Sequence, residues 1–347
     1  MRVLSIGTDR KLFDEGSLVR GRQAAYAEKL GAIDIVVFTT GTRHEVVFGS
    51  VRVIPTNSRS KWWYGFDAWR AARKMERPDV ITTQDPFETG LIALFIARRL
   101  KVPLHVQIHT DFTSKGFARH SFINWLRQRI AWFVVKRAAH VRSILERTAN
   151  DLRTSGVTSV SVLPIYVDVA EFAKTTRIKH PKWKIAMLSV GRFEKEKRFE
   201  IAIDALVQAR AKGHDVGLTL VGDGRLRQMY YRYAQRHRVA DRLEIIGWQN
   251  DLAPFYSRAD IVLVPSSYEG YGLVIVEALA SGVPVLSTDV GVARQAGAII
   301  TDGRFFSKSL LEWLANGPRQ GTLAAYPYHS LEEYVRKYCD DIRQAQH

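Results

Sequence analysis

"DIVLVPSSYEGYGLVIVEALASGVPVLSTD", residues 260–289, reads as one strand–helix–strand unit. The apolar runs at 260–266 and 283–289 have strand length, and the helix between them spans 271–281. Gly270 and Gly272 flank the start of that helix, and Gly282 ends it as a C-terminal cap. Short, continuous Val/Ile/Leu runs joined by a helix are what parallel strands buried on both faces require. Yet Glu277 sits inside this apolar helix, between Ile275-Val276 and Ala278-Leu279, eight positions after Glu269. A buried carboxylate is costly unless it is paired or hydrogen-bonded. The same stretch therefore decides the fold class and raises a question of function.

The alternation recurs along the chain. Strands read at 2–8, 33–40, 79–83 and 103–111, with helices at 18–30 and 88–100. It restarts with strands at 184–191, 216–222, 242–247 and 260–266 and helices at 198–212, 224–238 and 250–257. This is an α/β chain, and its 347 residues exceed one ordinary core. The expected architecture is two doubly wound, Rossmann-like domains with a cleft between them. "SVLPIYVDVAEFAKTTRIKHPKW" (161–183) carries mixed charge and two prolines and reads as the linker. The expected domains are 1–172 and 173–325, with a C-terminal helix in 326–347 packing back on the first.

Composition narrows the function classes. Hydrophobic residues at 46% and aromatics at 11% specify an ordered globular protein. A single cysteine, Cys339, excludes an intramolecular disulfide and a cysteine-based metal cage. "MRVLSIGTD" (1–9) reads as a strand with no apolar signal region before it. No run approaches the roughly 18 apolar residues of a spanning helix. The expected location is cytoplasmic, with peripheral association at the inner membrane face. The net charge is +16, and residues 1–180 hold 29 Lys/Arg against 16 Asp/Glu, whereas residues 181–347 hold 22 against 19. The excess lies in the first half, which points to an anionic partner there.

In doubly wound sheets, ligands bind beyond the carboxyl ends of the strands. After the strand at 184–191 comes "GRFEKEKRF", in which Arg192 and Lys197 flank a helix start. Two cations beside unsatisfied backbone donors make a phosphate site; a solvated, charged loop is the equal alternative on this segment alone. After 216–222 comes "VGDGR", where Gly222 and Gly224 bracket Asp223, and taken alone this is a plain turn. At 270–277 the N–H groups of Gly272, Leu273 and Val274 open a helix toward an anion, and Glu277 lies one to two turns in.

Residues 184–300 resemble the donor-binding domain of a family 4 (group 1) retaining glycosyltransferase of GT-B fold. The segments that carry the resemblance are "VGRFEKEKRFE", "LVGDGRLR" and "DRLEIIGWQNDLAPFYSRADIVLVPSSYEGYGLVIVEALASGVPVLSTDVG", with the two glutamates in its E-x7-E motif. The resemblance extends more loosely through residues 1–175. It implies a nucleotide-sugar (UDP-, GDP- or ADP-sugar) as donor substrate, with no permanently bound cofactor and no metal. Glu277 would take the ribose hydroxyls, Glu269 the transferred sugar, and Arg192 and Lys197 the diphosphate, while Gly222 and Asp223 lie beside the donor. In the first half, "QIHTDF" aligns His109 with a family histidine near the donor sugar. "DEGSLVRGRQ" puts Gly16-Ser17 in the place of the family's glycine-rich loop, where a Gly-Gly pair is common. The acceptor implied is a lipid-linked or cell-envelope glycan precursor.

Two stretches of the first half, 58–74 and 119–137, interleave Trp, Phe and Tyr with Arg and Lys. In the second, Phe122, Trp125, Leu126, Ile130 and Phe133 recur at helical spacing. One reading is a core-facing helix with a basic outer face; the other is a surface for anionic lipid. A nucleic-acid role leaves the E-x7-E segment unexplained. A GT-B sugar-nucleotide epimerase or a non-catalytic membrane-surface protein is the alternative to transfer.

Overall fold

The computed structural model describes residues 1–346 as two units, one of Met1–Ile165 joined by the C-terminal segment from Tyr328, the other of Tyr166–Pro327. The strands of the first are β1 (Arg2–Gly7), β2 (Ala32–Val37), β3 (Val46–Phe48), β4 (Val51–Pro55), β5 (Val80–Thr83), β6 (Leu104–Ile108), β7 (His140–Ser143) and β8 (Val160–Val162). They form one sheet in the order β3-β4-β2-β1-β5-β6-β7-β8, parallel except for the antiparallel edge pair β3–β4. Those two strands form a hairpin that the sequence reading lacks.

The second unit carries β9 (Ile185–Val190), β10 (Val216–Val221), β11 (Leu243–Ile246), β12 (Ile261–Val264), β13 (Val285–Ser287) and β14 (Ile299–Ile300). Their order is β11-β10-β9-β12-β13-β14, parallel throughout. This is the doubly wound order in which the winding direction reverses between β9 and β12, and the crevice at that reversal is where such sheets take ligands. In the first sheet the reversal falls between β1 and β5.

The segment 166–172 belongs to the second unit, not the first. Its short helix Val169–Phe172 packs on the helix Leu273–Ala280, and Phe172 meets the Tyr256 ring at 5.8 Å. The basic stretch 119–137 is likewise not one helix. Ser121 breaks it, and its hydroxyl caps the helix Phe122–Val135 by accepting from Asn124 N at 3.1 Å.

The C-terminal helix Leu331–Arg343 returns to the first unit and packs on the helix Leu18–Leu30, with the Tyr338 ring stacked on Tyr26 at 4.1 Å. A buried polar cluster fixes it to the sheet. Asp341 accepts from His105 Nε2 (2.8 Å) and from His140 Nε2 (3.2 Å), and also from the Ser161 hydroxyl. Each imidazole is held at its other nitrogen, His105 by Thr82 (2.8 Å) and His140 by Ser159 (2.7 Å). Burial alone would raise the Asp341 pKa, but the hydrogen bonds outweigh it and hold the carboxyl well below the ordinary range. Burial lowers the pKa of His105, which favours its neutral form.

A carboxyl whose pKa is depressed by folding stabilises fully above its unfolded pKa and progressively less as pH falls toward its folded value. Asp341→Asn should therefore cost about 1.5–3 kcal/mol at pH 7, the scale of hydrogen bonds to a charged group. Below pH ~4 the gap to the parent chain should narrow by about 1.4 kcal/mol per pH unit. Urea unfolding across a pH series reads this directly, and a gap that does not change with pH contradicts an ionised Asp341.

Candidate functional site

The loops after β9 and β12 meet at the reversal of the second sheet. Lys197 Nζ donates to Glu269 Oε1 at 2.6 Å, and the Ser266 hydroxyl donates to the same oxygen at 2.7 Å. Both charged side chains are largely enclosed, at 14% and 13% exposure. Backbone geometry allows the lysine this path. Gly191 has φ 152°, and a Cβ there would lie 3.1 Å from Lys197 Cε. Gly222 (φ 139°) lets the next loop press on the first, since a Cβ on it would sit 2.0 Å from the Gly191 carbonyl oxygen. Phe193 N then donates to Asp223 O at 2.8 Å.

The loop that carries Glu269 is braced from below. Arg198 adopts φ 48°, uncommon for a residue with a side chain, and its guanidinium donates to the carbonyls of Pro265 (2.7 Å) and Ser266 (3.0 Å). The helix Leu273–Ala280 follows, entered through Gly272 at φ 92°. The N–H groups of Gly272, Leu273 and Val274 lie in its first turn, where no intrahelical acceptor exists. Glu277, farther in, accepts from the Tyr256 hydroxyl at 2.7 Å. Burial raises its carboxyl pKa above the ordinary value, and the Tyr256 hydrogen bond only partly offsets this.

Thus the second unit brings Lys197 and Glu269 into direct contact. Arg192 instead donates to Glu196 Oε1 at 3.0 Å, with two-thirds of its side chain exposed. Asp223 accepts from Gly224 N within its own turn at 2.8 Å. Among the described residues, no hydrogen bond joins Arg192, Asp223 or Glu277 to the Lys197–Glu269 pair. Tyr256, Ser266 and Arg198, which hold the two glutamates and their loop, are residues the sequence reading missed.

Gly16 and His109 belong to the first unit. Gly16 (φ 77°) turns the loop after β1 into the helix Leu18–Leu30, which Ser17 caps by accepting from Arg20 N at 3.4 Å. His109 follows β6, with Nε2 3.4 Å from Gln107 Oε1. That same oxygen accepts from Arg142 Nη1 at 2.9 Å, and the Gln107 amide donates to Tyr338 (2.9 Å) and Thr82 (3.2 Å). A guanidinium only donates, so Gln107 must turn its carbonyl to both Arg142 and His109. His109 then carries its proton on Nε2 and leaves Nδ1 as an acceptor. Burial, reinforced by Arg142 and Arg22, lowers its pKa to about 3.

The first unit also places the two aromatic-basic stretches. Trp62 is 96% exposed and Phe122 75%, and Trp63, Phe66, Ile123, Trp125, Leu126 and Phe133 are exposed as well. The core-facing reading of 119–137 therefore fails for most of its apolar repeat; Ile130 alone of that set packs against the core. Arg129 lies over the Trp125 ring at 5.4 Å and Arg137 over Phe133 at 3.9 Å. Among the described residues no helix is long and apolar enough to cross a membrane. Among them too, His105, His140 and Asp341 are the one group with metal-ligand spacing, and each of their ligand atoms is already engaged in the hydrogen bonds given above.

Known proteins resemble this chain in sequence and in fold. The family described as glycosyl transferases group 1 matches residues 172–307, and a glycosyl transferase 4-like domain matches residues 19–167. A glycogen synthase of Mycobacterium tuberculosis is 26% identical over 275 residues, 76% of this chain and 61% of the relative. An alpha-monoglucosyldiacylglycerol synthase of Streptococcus pneumoniae is 26% identical over 247 residues, 64% of this chain and 54% of the relative. The chain thus matches less than two thirds of the length of these relatives. Anabaena HepE, solved in complex with UDP-glucose, is similar with a TM-score of 0.67 at 15% identity, over 100% of this chain and 97% of that one.

The His109 assignment has a readout independent of activity. In spectra of the chain labelled with 15N-histidine, and assigned with a His109→Gln variant, His109 should show the neutral Nε2–H pattern down to about pH 4. An Nδ1–H pattern, or protonation near pH 6.5, contradicts it.

Proposed function

Because this chain belongs to the group 1 glycosyltransferases and has the GT-B architecture of two Rossmann-like domains, we propose that it transfers a sugar from a nucleotide-sugar to an acceptor hydroxyl with retention of anomeric configuration. The observation that carries the proposal is the enclosed Lys197–Glu269 pair at the reversal of the second sheet. The donor is a UDP-, GDP- or ADP-sugar, the ligand class present in the HepE complex.

In this reading Lys197 and the largely exposed Arg192 hold the diphosphate and stabilise charge as the bond from the anomeric carbon to the phosphate oxygen breaks. The N–H groups of Gly272, Leu273 and Val274 at the start of the helix add to that field. The new bond forms from the acceptor oxygen to the anomeric carbon, and the acceptor's proton passes to the departing phosphate. No general base and no metal is required of the protein. Glu277, steadied by Tyr256, accepts from the ribose hydroxyls, which offsets the cost of its burial. Glu269 accepts from hydroxyls of the transferred sugar while Lys197 and Ser266 fix its orientation. His109 offers Nδ1 to the donor sugar, and the loop at Gly16 serves the acceptor side.

The acceptor proposed is a lipid-linked or envelope glycan precursor. Its support is the exposed aromatic-basic surface of the first unit and the glycolipid product in the name of the pneumococcal relative. The same surface, through residues 58–74 and 119–137, would place the protein peripherally on an anionic membrane, each cation near the surface adding about 1 kcal/mol.

The two glutamates separate in their effects. Glu277→Gln should weaken the free nucleoside diphosphate and the sugar-nucleotide alike. Glu269→Gln, which releases Lys197 from its carboxylate, should leave free diphosphate binding no weaker and lower turnover ~10–1,000-fold, equivalent to ~1.4–4 kcal/mol of transition-state stabilisation. Calorimetry with steady-state kinetics on both variants tests this, and equal loss of diphosphate binding reverses the assignment. For the membrane, flotation with liposomes should rise with anionic lipid and fall with salt, since exposed charges are screened within ~8–10 Å. A chain that stays unbound on acidic liposomes at low salt rules the surface out.

A further inference from the structure

The reversal of the first sheet, between β1 and β5, also opens into a cavity, of about 780 Å³. Thr8 and Arg10 reach it from the loop after β1, and Asp85 and Phe87 from the loop after β5. Its volume is that of a small-molecule site, and its place is where a doubly wound sheet takes a ligand. Three cations line it: Arg10, Lys61 and Arg127. Glu88 pairs with Arg127 at 2.8 Å, whereas among the described residues Arg10 and Lys61 form no ion pair. With Asp85 as the one further carboxylate in the lining, the chamber keeps a surplus of positive charge at Arg10 and Lys61, which favours an anion. Asp85, whose Oδ1 accepts from Phe87 N at 2.8 Å, adds a hydrogen-bond acceptor suited to a hydroxyl.

A second cavity adjoins the first. It holds about 350 Å³ and is lined by Gly65, Phe66, Trp69, Leu91, Ile92 and Phe95, where the helices Tyr64–Ala72 and Glu88–Leu100 pack together. Ile92 lines both cavities, so the cationic chamber and a groove whose lining carries no charged residue lie side by side. Phe66, Leu91 and Phe95 are all exposed and form an apolar strip, with Trp69 edge-on to Phe95 at 6.1 Å and the Arg99 guanidinium over the Phe95 ring at 5.0 Å. An ordinary sugar acceptor would leave this strip without a purpose. An anion with a hydrocarbon tail matches both parts.

We propose that the chamber and the groove form one acceptor site for a phosphate-bearing lipid. The phosphate lies between Arg10 and Lys61, the hydroxyl-bearing head turns toward Asp85, and the chain runs past Ile92 along Phe66, Trp69, Leu91 and Phe95. The inference deepens the transfer reading given above and rests on it for the word acceptor, but the site itself is independent of the donor.

Calorimetric titration of the full chain with octyl, decyl and dodecyl phosphate below their micelle concentrations tests it, with inorganic phosphate and dodecyl maltoside as controls. Affinity should rise roughly fourfold per methylene, the equivalent of ~0.8 kcal/mol. Both controls should bind at least tenfold more weakly than dodecyl phosphate. Arg10→Ala with Lys61→Ala should remove the preference for phosphate and keep the chain-length dependence. Phe66→Ser with Phe95→Ser, both at exposed positions, should flatten the chain-length dependence and keep weak phosphate binding. Equal binding of inorganic and dodecyl phosphate would leave a plain anion site and overturn the proposal. So would a chain-length dependence untouched by the Phe66/Phe95 variant, or affinity untouched by the Arg10/Lys61 variant. Binding of a nucleotide-sugar measured in parallel separates the two readings. Alkyl phosphate binding without it would remove the transfer function and keep this site, and the reverse would remove this site alone.

Discussion

An ammonium and a carboxylate 2.6 Å apart, mostly shielded from water, organise the second unit. Neither charge would be tolerable there alone, and together they need a backbone that brings two loops from adjacent strands into contact. Gly191 gives the Lys197 stem its path, and Gly222 lets the neighbouring loop close on it. Arg198 ties the opposite loop through two carbonyls, and Ser266 gives Glu269 its second hydrogen bond. The result is a preformed polar pair at the one place where the strand order opens the sheet. A site arranged in advance loses little on binding and suits a reaction governed by positioning and electrostatics.

The first unit is held by a different device. Its C-terminal helix is separated from the sheet strands it meets by nearly 200 residues or more, and a buried Asp341 with two imidazoles fixes its register. Tyr338 of the same helix donates nothing to the chemistry, yet it helps set the Gln107 amide, which with Arg142 sets the proton position on His109. A helix at the end of the chain thus reaches a candidate site residue through two hydrogen bonds.

How much was legible in the sequence follows from distance along the chain. The strand–helix–strand unit at 260–289 is local, and its apolar runs, its glycines and the spacing of Glu269 and Glu277 were all readable there. The partners were not: Tyr256 lies 21 residues from Glu277, and Lys197 lies 72 from Glu269. Only the parallel register of β9 with β12 makes the second of these a contact. The edge hairpin β3–β4 escaped because strands of three and five residues leave too little periodicity. Arg192 was expected to act beside Lys197; its guanidinium donates to Glu196, four residues on, a partner the sequence did not single out. For 119–137 periodicity identified a helix and not which side its apolar stripe faces. Exposure of Phe122, Trp125 and Leu126 decides that it faces outward.

The central claim is that the second unit holds a nucleotide-sugar at the Lys197–Glu269 pair. Titration of the full chain with UDP-, GDP- and ADP-sugars, followed by thermal unfolding, tests it most directly. One of the three at about 100 times its dissociation constant should stabilise the fold by ~2.7 kcal/mol. A Lys197→Met variant should lose most of that stabilisation. No stabilisation by any of the three, or the same stabilisation in the variant, would contradict the account.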